Sequence, residues 1–166
     1  MQTHDWSRFE LRIPVYAETQ TIYDLWATPA GLEKWFLRSA KFFSASGELA
    51  LPSSRIMAYY SYEWLWHGWG DETAERGKII SANGKDFFEF VFGKAGIVSV
   101  EIKNEQGAAV VELIQKEIPI DEESKINFHY GCSTGWTFYL ANLKSISEGG
   151  LDLRNKNALL KKVLNS

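Results

Sequence analysis

The feature that most constrains this chain is a change of period. From Arg8 to Ile118 most apolar side chains recur at every second position. Only after Pro119 does one long stretch repeat with helical spacing. In that stretch Trp136, Tyr139, Leu140, Leu143 and Ile146 form one stripe at i, i+3, i+4, i+7 and i+10. Thr137, Ala141, Lys144 and Ser145 lie off it. Such a stripe marks a helix with one face buried, and alternation marks half-buried strands. The pattern predicts an α+β fold in which a curved antiparallel sheet of six to seven strands wraps a long C-terminal helix. The helix is expected over about Tyr130 to Glu148, where Gly149-Gly150 supplies a left-handed stop.

The segments before it follow in order. Arg8 to Val15 alternates, with Phe9, Leu11, Ile13 and Val15 on one face. Two short helices come next, Glu18 to Ala27 and a second restarted by Thr28-Pro29, a good N-cap followed by proline at the first helical position. Ala40 to Ala45 reads as a strand, Ser46 to Ser54 as a loop, and Tyr59 to Trp69 as a strand dense in aromatic residues and ended by Gly68 and Gly70. Arg76 to Ala82 and Asp86 to Phe92 flank Asn83-Gly84, a hairpin signal. Ile97 to Lys103 and Ala108 to Ile118 flank a turn at 104–107, and Asp121-Glu122-Glu123 marks a break before the helix. This spacing of hairpins argues for a meander. Residues 155–166 form a basic tail, either a short extra helix or loose chain.

The length of 166 residues suits one domain spanning 1–166, with a core over about 8–154. A net charge of -3 from 18 basic and 21 acidic residues disfavours nucleic acid, which requires a basic surface. Cys132 is the only cysteine, so no internal disulfide is possible. With the polar opening Met1-Gln2-Thr3-His4-Asp5, this leads to the expectation of a reducing cytoplasmic location. No apolar run approaches the length of a membrane span.

Candidate chemistry is sparse. A metal site needs three or four converging ligands. His129-x-x-Cys132, with His67 as a third member and His4 the remaining histidine, supplies only part of such a set. Cys132, placed near the start of the final helix with His129 three residues before it, is the one candidate nucleophile; the alternative is a small packed residue before Gly135. Asp71-Glu72 and Asp121-Glu122-Glu123 read as solvated turns, and Gly93-Lys94-Ala95-Gly96 as a turn rather than a phosphate loop. No catalytic residue, metal or cofactor is therefore expected. An enzyme acting on an apolar substrate would need a buried carboxylate or histidine in its binding groove.

The aromatic load is the informative feature: 14% of residues, including seven Trp. Tyr62, Trp64, Trp66, Phe88, Phe90 and Phe92 should project from the concave sheet face towards Trp136, Tyr139, Leu140 and Leu143 on the helix, with Trp35 and Val100 beside them. Two outcomes stay open. Either these rings pack solid, or the curved sheet and helix leave an apolar pocket lined by these twelve residues, suited to a small or flat ligand.

Three segments carry a family resemblance. At the front, a helix ends in Trp26 and is followed by Thr28-Pro29-x-Gly31-Leu32-x-x-Trp35-Phe36. In the middle stands Gly77-x-Ile79-Ile80. At the back come Gly135-Trp136-x-x-Tyr139-Leu140-x-x-Leu143-Lys144 and then Asp152-Leu153-Arg154. Together they resemble the helix-grip fold of the START-like (SRPBCC) superfamily, which includes the birch-pollen allergen. Within it they are most similar to proteins resembling the C-terminal domain of the heat-shock ATPase activator. The resemblance covers about Arg8 to Arg154. It departs at Ser46-Gly47-Glu48, where many relatives carry Gly-Gly-x-aromatic. It implies a domain holding a small apolar molecule or lipid between sheet and helix, and the missing catalytic set makes the expected domain a non-enzymatic one. The alternative it implies is a protein-interaction module whose partner is a chaperone, with aromatics around Trp69 and the basic tail as contact surfaces.

Overall fold

The computed structural model describes residues 4–164. Met1–Thr3 and the last two tail residues lie outside the described residues. Seven antiparallel strands form one sheet in the order β1-β7-β6-β5-β4-β3-β2. They are β1 (Phe9–Val15), β2 (Ser39–Phe43), β3 (Ser61–Leu65), β4 (Glu75–Ala82), β5 (Phe87–Val91), β6 (Ile97–Glu105) and β7 (Ala108–Lys116). Helices α1 (Thr19–Ala27) and α2 (Pro29–Trp35) follow β1. At the C-terminal end α3 (Glu122–Ser124), a π-helical turn (Lys125–Tyr130) and α4 (Gly131–Ser147) run end to end. This is the α+β arrangement that the change of period predicts, in the helix-grip order that the resemblance implies.

Local chemistry explains the joints. Thr28 Oγ1 accepts from Gly31 N at 2.9 Å and donates to the Asp24 carbonyl at 2.7 Å, so one hydroxyl ends α1 and starts α2. Asn83 Oδ1 accepts from the amides of Lys85, Asp86 and Phe87 and shapes the β4–β5 connection. Gln106 and Gly107, both at positive φ (51° and 83°), close the tight β6–β7 hairpin.

Two boundaries differ from the sequence reading, and the tail takes one of the two forms left open for it. The aromatic segment is a strand only over Ser61–Leu65, because Tyr59 (φ 70°) and Gly68 (φ 85°) leave the extended region on either side. The final helix begins at Glu122 rather than near Tyr130. Asp121, read above as part of a break, is its cap, accepting from Ser124 N at 3.0 Å. The π-helical turn that follows disturbs the 3.6-residue period, and residues 131–135 (Gly-Cys-Ser-Thr-Gly) carry no large apolar side chain, so the apolar stripe emerges only at Trp136. The tail forms no helix among the described residues, and Leu159, Leu160 and Leu164 stand exposed.

The helix stripe is buried as its spacing demands, with Trp136, Leu140 and Leu143 in the core beside Phe88 and Phe90. Asn142, one residue from Leu143, is buried as well. Its Nδ2 donates to the Trp35 carbonyl (2.7 Å) and to Asp152 Oδ1 (3.1 Å), while its Oδ1 accepts from Leu153 N (2.8 Å). Arg154 completes this clamp, donating to the carbonyls of Glu33, Lys34 and Leu37 and to the Asp152 carboxylate. Asp152-Leu153-Arg154 thus satisfies carbonyls that the end of α2 leaves unpaired. No helix among the described residues is long and apolar enough to cross a membrane.

Candidate functional site

The centre of the grip is closely packed. Tyr62 and Trp64 stack with centroids 3.9 Å apart, Trp64 meets Phe90 edge-on at 5.0 Å, and Trp26 meets Trp35 edge-on at 4.5 Å. Trp35, Tyr62, Trp64, Phe88, Phe90, Val100, Leu140 and Leu143 are each at most 3% exposed. Among the described residues the buried indole N–H groups of Trp26 and Trp64 have no hydrogen-bond acceptor, a consequence of enclosure by rings.

The open space lies at one end, where the start of α4 diverges from the sheet. A groove of about 350 Å³ is lined there by Phe36, Trp66, Phe92, Trp136 and Tyr139, together with Asn127, Gly131, Cys132 and Gly135. Four of the twelve candidate residues, Trp66, Phe92, Trp136 and Tyr139, reach it. The other eight lie in the packed interior. The rings interlock: Phe36 stacks on Trp136 at 4.9 Å and meets Tyr139 edge-on at 4.8 Å, and Phe92 lies 5.7 Å from Trp136. Burial raises the Tyr139 hydroxyl well above its ordinary range, so it stays a neutral hydrogen-bonding group.

Gln115 holds this wall in place. Its buried side chain accepts from Trp136 Nε1 at 3.0 Å and donates to the Ala95 carbonyl at 2.8 Å, fixing the indole against the turn after β5. The opposite wall is nearly bare. Gly131 and Gly135 are spaced i, i+4 on α4, and a Cβ built at Gly135 would meet nothing within 4 Å. The π-helical turn supplies Asn127 to the lip. Period counting could not find Asn127, because that turn breaks the period. Phe36 and Gly135 stand in the quoted motifs but carry no signal of their own for a groove.

A second, wider compartment of about 680 Å³ shares Phe92, Asn127 and Cys132 with the first. It adds Trp69, Thr73, Glu75, Gly93, Lys94, Ala95 and Phe128. Burial raises the carboxyl of Glu75 above the usual range. Burial also raises the Cys132 thiol, and the nearby Glu75 charge adds to this. The helix begins at Glu122, well before Cys132, so no free helix end is available to lower the thiol. His129 is turned away towards the N-terminal segment, its Nε2 3.2 Å from His4 Nε2 and 3.1 Å from the Arg8 carbonyl. His67 lines a separate hollow with Arg38, Trp69 and Lys156. The three histidines do not converge. Among the described residues no group of three His, Cys, Asp or Glu side chains could hold a metal ion.

Residues 16–148 match the family model described as activator of Hsp90 ATPase homolog 1-like protein. The chain belongs to this family. In this activator-like chain the matched segment contains every residue of both compartments but stops short of the Asp152–Arg154 clamp. No curated protein matches the chain. Solved structures share its fold. Protein SSP2350 from Staphylococcus saprophyticus superposes with a TM-score of 0.67 at 16% identity, covering 89% of this chain and 96% of that one. The Aha1 dimer from Colwellia psychrerythraea gives 0.64 at 16% identity, over 86% and 97%. DynU16, from the dynemicin biosynthetic locus, gives 0.65 at 13% identity, over 90% and 50%. At these identities the likeness is one of fold, and function has to be argued from the groove itself.

Proposed function

We propose that this protein binds a small, flat, apolar or aromatic molecule in the groove between the first turns of α4 and the β3 and β5 side of the sheet, without catalysing a reaction on it. The observation that carries this reading is the pairing of a fixed aromatic wall with a helix face left bare by Gly131 and Gly135. Each glycine inside a helix costs about 1 kcal/mol relative to alanine, and here that cost keeps open a space that side chains would fill. Enclosing roughly 200 Å² of ligand surface at about 25 cal/mol per Å² contributes about 5 kcal/mol of apolar burial, against which the cost of immobilising the ligand is set. A thiol and a carboxyl both displaced towards their protonated forms argue against a thiolate nucleophile. Native mass spectrometry after gentle purification, with a thermal-shift screen of lipids and aromatic compounds, tests the proposal. Retained mass or a concentration-dependent rise in Tm supports it. An empty protein that no compound stabilises overturns it.

A second reading, a protein-interaction module acting on a chaperone ATPase, is favoured by the family match and by exposed Trp69, Ile126 and Tyr130 around the same end of the molecule. Adding the purified chain to a purified chaperone ATPase discriminates between them. Stimulated ATP hydrolysis with a stoichiometric complex supports the module, and an unchanged rate with no complex removes it.

A further inference from the structure

Glu75 opens β4 at the mouth of the groove, in the compartment that Phe92, Asn127 and Cys132 share with the aromatic chamber. Most other shielded acidic side chains have a cation, and Asp86, which has none, accepts from Asn83 Nδ2 at 2.6 Å. Glu63 pairs with Arg76, Glu89 with Lys116, Glu112 with Lys103, Glu148 with Lys144 and Asp152 with Arg154. Glu75 is half-buried and has no ion pair among the described residues. Its one polar contact is the Arg76 amide, 3.2 Å from Oε1. The backbone is cut away around this carboxylate. A Cβ at Gly93, itself at φ 48°, would collide with it. Lys94 lines the same compartment without reaching it. A half-desolvated carboxylate left unpaired in this way still needs donors, and the open side of the compartment is where they can come from. Trp69 and Phe92 line the same compartment, and aromatic rings also favour a cation.

We infer that Glu75 is the polar anchor of the groove, and that the groove selects aromatic molecules bearing a cationic amino group. The rings lie against Phe92, Trp136 and Tyr139, and the ammonium donates to the Glu75 carboxylate. This rests on the groove being the binding site. It adds the chemical class of the ligand. An ion pair formed here is less screened than one on an open surface.

Three probes of matched shape test it: 1-naphthylmethylamine, 1-naphthalenemethanol and 1-naphthoate, titrated near neutral pH by tryptophan fluorescence and calorimetry. The amine should bind about tenfold tighter than the alcohol, with naphthoate weakest. Glu75→Gln should erase the preference for the amine while leaving alcohol binding within about twofold, its fold checked by circular dichroism. Lys94→Ala, a control that leaves Glu75 in place, should retain the preference. Equal binding of amine and alcohol, or a preference that survives Glu75→Gln, overturns the anchor while leaving a binding groove. Tightest binding of naphthoate also overturns it and assigns Lys94 instead. No binding of any probe overturns the anchor and the groove together.

Discussion

The two ends of α4 meet the rest of the molecule in opposite ways. Near its C-terminal end, Asn142 engages the Trp35 carbonyl, Asp152 and Leu153, and Arg154 seals the end of α2 with donors to three carbonyls. At its N-terminal end, Gly135 faces open space with Gly131 one turn before it, and Asn127, Cys132 and Glu75 are among the groups that surround a groove. One end is closed by directional hydrogen bonds and the other is held apart by missing side chains. The lesson is a division of labour: the hydrogen bonds that tie α4 to the end of α2 sit where α4 ends, and the groove opens where it begins.

The comparison can be broken first at the clamp. Arg154→Ala removes a buried guanidinium and leaves the Asp152 carboxylate and three carbonyls short of donors. A loss of about 3–5 kcal/mol in chemical denaturation is expected, with groove binding in the surviving folded fraction unchanged. Asn142→Leu keeps most of the volume but strands the Trp35 carbonyl and the Leu153 amide, and should cost about 1–3 kcal/mol. At the other end the sign reverses. Gly135→Ala places a methyl group in empty space within a helix and should stabilise by about 1 kcal/mol. Gly135→Phe should keep the protein folded while abolishing ligand-induced thermal shifts.

The smallest effects lie in pH. Burial tends to raise Asp152, but hydrogen bonds from Arg154 and Lys156 and the Arg154 charge outweigh it and hold the carboxyl well below the usual range. A lowered folded-state pKa means stability that is present above the unfolded value of about 3.9 and lost as pH falls below it. Asp152→Asn should flatten that acid limb. Glu75 has the opposite sign. Its raised carboxyl favours the fold while protonated, and that contribution disappears as pH rises through its folded-state pKa. Glu75→Gln should therefore leave Tm unchanged or slightly higher at neutral pH, measured by calorimetry, even as it alters ligand preference.

Much of the scaffold was legible because its signals are local. Alternation in Phe9–Val15, the Thr28-Pro29 restart and the Trp136–Leu143 stripe each follow from a period or a cap that neighbouring residues determine. What escaped depends on contacts distant in sequence. Asn142 reads as a polar residue on a helix, and only the approach of Trp35 and Asp152 makes it interior. Tyr62, Trp64, Phe88 and Phe90 do project between sheet and helix, but rings stacked as closely as Tyr62 on Trp64 fill the middle, and the space moves to the rim. Alternation reports which face a ring is on; it carries no information about whether facing rings touch. Glu75 gave no signal at all, since an unpaired carboxylate is recognised only once the positions of the nearby cations are known.

The π-helical turn between α3 and α4 carries a consequence for how such a groove diversifies. A helix wound this way holds one surplus residue, and deleting a single amino acid would restore ordinary winding. That deletion would turn α3 and the preceding residues of the turn by roughly 100° about the axis relative to α4, withdrawing Asn127 from the lip while leaving Trp136 in place. Single-residue indels at this position, more than point substitutions, are then the economical route by which descendants of this chain would change what they admit.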